Sequence, residues 1–323
     1  MQLRWRLPHA ILIQGMEGQG EFELGLAAAQ SLLCEKPFPD GRGCGACLAC
    51  NWFRQGNHPD FRLLVPESLA PESAIEGAEP ARREKRSEQI RIEQVRELSG
   101  FLAVGSHRAG LRVVLIYPAE TINTNTQNAL LKNLEEPPPA TVFLLVTARP
   151  EALLPTLRSR CIKLPLPPPD AAKALAWLRE QGVSNPEAAL AGAGGAPLVA
   201  LREVETQSDR SRFLEGLREP DFDPIALADA ALRVPLPELV GWLQRWGHDL
   251  LLARVAGRVR YHPDHEAALA ELSRRCEPAK IAAYLRRLAE ARALVRHPLN
   301  AKLFVEDLLL QYRRLLIAVP EGV

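Results

Sequence analysis

The chain has 323 residues, more than one hydrophobic core comfortably spans, so two or three domains are expected. Hydrophobic residues make up 47% and charged ones 24%, as in an ordinary globular protein, and no run of about 18 apolar residues exists to form a transmembrane helix. With 40 Lys and Arg against 39 Asp and Glu the net charge is +1, so nucleic acid would be gripped through a local basic patch or a partner, not a global positive field.

Met1 to Arg6 carries no signal-peptide h-region or cleavage site, and the chain reads as cytoplasmic, without membrane contact. Ala10-Ile11-Leu12-Ile13-Gln14 is then a short apolar strand ending at Gly15, and Phe22 to Leu33 follows as a helix. Phe61 to Val65 is a second strand. Ile92, Val95, Leu98 and Leu102 recur at helical spacing, which predicts an amphipathic helix. Val113 to Ile116 is wholly apolar. Thr126 to Glu135 reads as a helix stopped by Pro137-Pro138-Pro139, and Val142 to Val146 and Cys161 to Leu164 close the strand series. Alternating helices and apolar strands predict a parallel sheet covered on both faces, an α/β domain over 1–166. Beyond Pro165-Leu166-Pro167-Pro168-Pro169 the strands stop. A small helical domain is expected over 167–206 and an all-α domain over 207–323, with helix starts at Asp223-Pro224, Pro237 and Glu277-Pro278. Pro66 to Glu88, rich in Glu, Arg, Ala, Pro and Ser, reads as a mobile surface insertion.

Four features carry chemistry. Gly15-Met16-Glu17-Gly18-Gln19-Gly20-Glu21-Phe22 stands between a strand and a helix, where a P-loop belongs, with both motif glycines, Gly15 and Gly20, in register. Glu21 replaces the Lys that reaches the outer phosphates, and Phe22 replaces the hydroxyl that ligates Mg²⁺. A carboxylate repels a triphosphate and Phe holds no metal, so no ATP is expected in this loop. After Val113–Ile116, where an ATPase places the acids that hold Mg²⁺, the chain reads Tyr117-Pro118-Ala119-Glu120, and Glu120 alone survives, several positions late. Cys34, Cys44, Cys47 and Cys50 form a C-x9-C-x2-C-x2-C series within a reducing compartment, a spacing that suits one structural Zn²⁺ in a closed tetrahedral site; His58 is a competing donor, but His58-Pro59-Asp60 reads better as a turn. Last comes Leu157-Arg158-Ser159-Arg160-Cys161, whose arginines, taken alone, would make surface ion pairs.

Together, Asn128-Ala129-Leu130-Leu131-Lys132-Asn133-Leu134-Glu135-Glu136-Pro137-Pro138 and Leu153 to Cys161 resemble the clamp-loader branch of the AAA+ proteins, and the four-cysteine insert is similar to that of the bacterial members. The resemblance covers nearly the whole chain. It implies a degenerate AAA+ domain with a zinc module at 34–50, a helical lid and a helical collar, in a non-hydrolysing subunit of the DNA polymerase III holoenzyme. Two departures agree with this: the lost P-loop chemistry, and Leu198 in Ala193 to Leu201 where the family's ATPases carry an arginine. The collar's last helix is similar to His297-Pro298-Leu299-Asn300 and the stretch Phe304 to Leu310. The implied partners are tau/gamma and delta subunits in a heteropentamer, with the sliding clamp and primer-template DNA met through the complex. The implied role of Arg160 is an arginine finger given in trans to a neighbouring tau/gamma ATP site, with Arg158 as the alternative. Two rival classes remain. An active ATPase is opposed by Glu21, Phe22, Tyr117 and Leu198. A zinc-dependent DNA-binding protein is opposed by the sparse basic residues near the cysteines (Lys36, Arg42 and Arg54).

Overall fold

The computed structural model describes residues 7–70, 86–103, 110–295 and 299–317. Of the 66–88 insertion, residues 71–85 lie outside that set, as do Met1 to Arg6, His297 and Pro298. The chain forms two compact units, Met1–Pro168 and Pro169–Val323.

Among the described residues the first unit holds five strands: β1 (Ala10–Gln14), β2 (Phe61–Leu64), β3 (Arg112–Ile116), β4 (Thr141–Thr147) and β5 (Ile162–Pro165). Their order is β2-β3-β4-β1-β5 and every pairing is parallel. Leu145, in β4, faces Leu12 on one side and Ile116 on the other. The helices are α1 (Glu21–Leu33), α2 (Leu48–Arg54), α3 (Ile92–Ala103), α4 (Thr124–Glu135) and the short α5 (Pro155–Arg158). Strand side chains alternate between faces. Ile13, Val113, Leu115, Val142, Leu144 and Val146 therefore point one way and cluster with Ala29 of α1. Leu12, Val114, Ile116, Phe143 and Leu145 point the other way, onto Val95, Leu98 and Leu102 of α3 and Leu130 and Leu134 of α4. Each such fully buried side chain contributes roughly 1.5–3 kcal/mol, so β3 and β4, buried at every position, anchor the unit.

α1 comes close to the sheet at Gly25, where a Cβ would meet Leu115 and Val146 side-chain carbons at 3.0 Å. That contact fixes the N-terminus of α1 above the end of β1. α4 begins at Thr124, two residues before the periodicity predicts, because the Asn123 side chain caps it by accepting the Thr126 N–H at 3.0 Å. The fifth strand departs from a sheet covered throughout: all four β5 residues are exposed, and Pro165 suits an edge because it donates no ladder hydrogen bond.

Among the described residues, the second unit holds helices and no strand. α6 (Ala171–Glu180), α7 (Pro186–Gly192) and α8 (Pro197–Arg202) gather around Ala174, Leu178, Val183, Leu190 and Ala200. α9 (Gln207–Arg218), α10 (Pro224–Ala231), α11 (Leu236–Ala256), α12 (Glu266–Arg274), α13 (Pro278–Leu294) and α14 (Ala301–Leu316) share a larger core led by Trp242, Trp246 and Tyr312. Within it Trp246 Nε1 donates to the Tyr312 hydroxyl at 2.8 Å, and that hydroxyl donates to the Leu217 carbonyl at 3.1 Å. Buried Asp249 accepts the N–H groups of Arg260, Tyr261 and His262 at 2.8–2.9 Å, fixing the turn after α11. No described helix is long and apolar enough to cross a membrane.

Candidate functional site

Between β1 and α1 the backbone keeps the shape of a phosphate loop. Gly18 and Gly20 have φ of 76° and 102°, left-handed values that glycine adopts without strain. The resulting turn gathers successive N–H groups at the positive end of α1, an arrangement that elsewhere cradles phosphate. Here the chain fills its own cradle. The buried Glu21 carboxylate, 2% exposed, accepts the Gly18 N–H at 3.2 Å, the Gln19 N–H at 3.1 Å and the Gly20 N–H at 3.2 Å, and the Tyr117 hydroxyl lies 3.4 Å from it. Sequence reasoning foresaw repulsion of an anion at this position. It missed that the carboxylate folds back and takes the anion's place.

The two positions from which an ATPase would hold Mg²⁺ are likewise closed. Phe22 and Tyr117 stack with ring centroids 4.4 Å apart and planes at 20°. Glu120 is turned away into structural bonds. It accepts the Thr147 hydroxyl at 2.7 Å and the Ala148 N–H at 3.3 Å, with Arg149 Nε at 3.7 Å. Leu198 sits half-buried in the first turn of α8, where it brings no charge.

The four cysteines converge. Their sulfurs all lie within 4.8 Å of one another, with Cys34 and Cys47 sulfurs 3.9 Å apart and Cys44 and Cys50 sulfurs 4.0 Å apart. A tetrahedron with metal–sulfur bonds of about 2.3 Å has edges of about 3.8 Å, so the set is close to the size that one ion needs. The N–H groups of Cys44, Cys47 and Cys50 point at the sulfurs of Cys34, Cys44 and Cys47 at 3.3–3.4 Å, which supports thiolate charge. Hydrogen bonds from the Ala46 and Cys47 N–H groups draw the Cys44 thiol down to about 6, whereas burial pushes Cys50 up to about 12. A shared cation would bring all four to thiolate. Helix α2, which the sequence did not announce, arises here, with Cys47 as its N-cap. His58 is no ligand in this cluster; its Nδ1 accepts the Asp60 N–H at 3.1 Å and shapes the turn into β2. The nearby basic residues stay at the surface in local contacts: exposed Arg42 pairs with Asp40 at 2.7 Å and exposed Arg54 donates to the Gly45 carbonyl.

The arginine turn follows from burial at i and i+4. Leu157 and Cys161 both sink into the core under the sheet, so Ser159 and Arg160 face outward while Arg158 stays half-buried. Burial raises the Cys161 thiol to about 11, which leaves it a small inert filler. Arg160 is 33% exposed; its Nη1 donates to the Thr156 carbonyl at 2.7 Å and its Nη2 pairs with the Glu135 carboxylate. Arg158 differs, since its Nε lies buried with no hydrogen-bond partner among the described residues. A further residue that motif reading passed over, Gln127 of α4, positions this turn. Its side-chain oxygen accepts the Leu154 N–H at 2.7 Å, and its amide donates to the Ile122 carbonyl at 2.9 Å and to the Ala152 carbonyl at 3.4 Å. A buried glutamine in an apolar helix face was the signal available.

Comparison with known proteins agrees with this arrangement. A family model described as "DNA polymerase III, delta subunit" matches residues 3–170, and one described as "DNA polymerase III, delta subunit, C terminal" matches residues 205–314. The DNA polymerase III subunit delta-prime of Pseudomonas aeruginosa is 35% identical, covering 95% of this chain and 92% of that protein. The Escherichia coli subunit of the same name is 31% identical, over 94% and 88%. Among solved structures, a protein from Thermotoga maritima related to the DNA polymerase III gamma subunit aligns over 96% of this chain and 95% of its own at a TM-score of 0.45 and 19% identity. A degenerate phosphate loop on a parallel sheet, a four-cysteine cluster and a helical second unit thus stand in a chain that belongs to the DNA polymerase III delta-prime subunit family.

Proposed function

We propose that this chain is the non-hydrolysing member of a clamp loader: it binds no nucleotide of its own and lends Arg160 to the ATP site of a neighbouring tau/gamma subunit. The observation that carries the reading is the Glu21 carboxylate seated on the Gly18, Gln19 and Gly20 N–H groups. A triphosphate would have to expel a buried, hydrogen-bonded anion from those donors and then meet the Phe22–Tyr117 stack in place of a metal site. Arg160 suits the task in trans because guanidinium is permanently charged and planar, and the burial of Leu157 and Cys161 turns it outward. The cysteine cluster would hold one Zn²⁺ through Cys34, Cys44, Cys47 and Cys50. That ion supplies folding energy to the segment between α1 and β2, and no chemistry is asked of it. Residues 207–323 would serve as a collar joining the chain to tau/gamma and delta in a cytoplasmic heteropentamer, which meets sliding clamp and primed DNA as a whole.

Calorimetric titration of the isolated chain with Mg-ATP tests the nucleotide half of this reading. No saturable binding is expected in the micromolar range. Saturable binding abolished by Gly20→Val, which strains the left-handed turn, would show that the loop still takes nucleotide.

A further inference from the structure

Glu135 occupies a place where an acid is normally unwelcome. It is the last residue of α4, at the negative end of the helix dipole, and Glu136 follows it directly. Its carboxylate meets Arg160 Nη2, while the Thr156 carbonyl takes Arg160 Nη1 at 2.7 Å and also accepts the Ser159 hydroxyl at 3.0 Å. The guanidinium is therefore held from two directions by its own chain, one from the end of α4 and one from the turn that carries it. We propose that Glu135 is a positioning residue for Arg160: it fixes the guanidinium in one outward rotamer before a neighbouring subunit arrives. This rests on the trans role proposed for Arg160.

The exposure of the pair decides between a hold and a lock. Glu135 is 46% exposed and Arg160 33% exposed, so water screens the attraction and the pair opens at little cost. A neighbour's triphosphate carries several negative charges and outcompetes one solvated carboxylate. What Glu135 supplies is orientation: an arginine side chain left free spreads over many rotamers, and only some of them reach a neighbour. The rigidity beneath supports this, since Gln127 ties α4 to the backbone at Ala152 and Leu154, just ahead of the arginine turn. Both ends of the pair are thus mounted on one frame.

The test is a double-mutant cycle in the reconstituted clamp loader, reading clamp- and DNA-stimulated ATP turnover. Glu135→Ala is expected to lower kcat about three- to tenfold with KM for ATP unchanged, as lost positioning and not lost binding. Glu135→Gln, which keeps one carbonyl acceptor, should recover part of the rate. In an Arg160→Ala background Glu135→Ala should have no further effect. An equal loss in that background would make Glu135 merely structural, and a rate increase would make the pair a lock; either overturns the proposal. Loss with Arg160→Ala but none with Glu135→Ala sinks the positioning role alone. Wild-type turnover with Arg160→Ala removes the trans role and the proposal with it.

Discussion

Replacing Glu21 by Gln removes one charge with little change in volume. In the folded chain the carboxylate accepts three backbone N–H groups at 3.1–3.2 Å. A hydrogen bond to a charged group contributes about 1.5–3 kcal/mol net, though bonds that share one acceptor group do not add in full. The amide retains one oxygen for one or two of the donors and turns an NH₂ toward the rest, which leaves at least one N–H opposed by another donor. A loss of about 2–4 kcal/mol follows for the first unit. For a unit of this size each kcal/mol moves the midpoint by about 2–4 °C, so its thermal transition should fall by about 5–15 °C, with the helical unit's transition unmoved. Scanning calorimetry of wild type, Glu21→Gln and Glu21→Ala measures this. Inorganic phosphate offers a second reading: at tenfold its dissociation constant it should restore about 1.4 kcal/mol to Glu21→Ala, whose loop is vacated, and nothing specific to wild type. A Glu21→Gln protein as stable as wild type would refute the claim that the carboxylate substitutes for phosphate.

Three further outcomes are expected. Purified protein should carry one zinc per chain by elemental analysis; Cys47→Ser or a strong chelator should lower the stability of the first unit, while a metal-free chain with reduced cysteines and unchanged stability would contradict a structural site. Gln127→Leu should cost about 1–3 kcal/mol, because it strands the part-buried Leu154 N–H and the buried Ile122 carbonyl, and protection of the Leu154 amide in hydrogen exchange should drop first. In the helical unit burial holds the His262 imidazole below its ordinary range, and hydrogen bonds from His262 and the Arg260 and Tyr261 N–H groups hold Asp249 low against a burial that opposes its charge. Both groups bind protons more readily when unfolded. Their stabilisation is therefore complete above about pH 6.5 and is lost on acidification, first through His262 and then, below about pH 4, through Asp249; denaturation midpoints of wild type and His262→Ala measured from pH 7 to 4 should converge.

Much of the fold could be read from the chain because its strands are wholly apolar and its helix breaks are proline-marked. Val113 to Ile116 and Val142 to Val146 admit no other place than the middle of a covered sheet. β5 escaped that logic: Ile162 and Leu164 look as apolar as any core strand yet lie exposed at the edge, since edge and centre differ in neighbours and not in composition. α2 was hidden because Leu48 to Arg54 is too short to show a period and is nucleated by the Cys47 cap. At the site, residue types told which chemistry was missing, but not what replaced it. That Glu21 turns back onto its own loop, and that Glu135 reaches Arg160 across 25 positions of sequence, are facts of tertiary geometry.

The proposed trans role comes down to one comparison: ATP turnover by the reconstituted clamp loader with wild-type chain against Arg160→Ala, at saturating clamp and primed DNA. An arginine finger carries about 10³–10⁵ in rate at its own site, so the site this chain faces should fall silent while sites completed by other subunits continue, leaving a partial loss of turnover and poorer clamp loading with assembly intact. Arg160→Lys should recover little, because an ammonium lacks the planar fork, and Arg158→Ala should do less than Arg160→Ala. Wild-type turnover and loading by the Arg160→Ala complex would mean that this arginine serves only its local contacts with Glu135 and the Thr156 carbonyl.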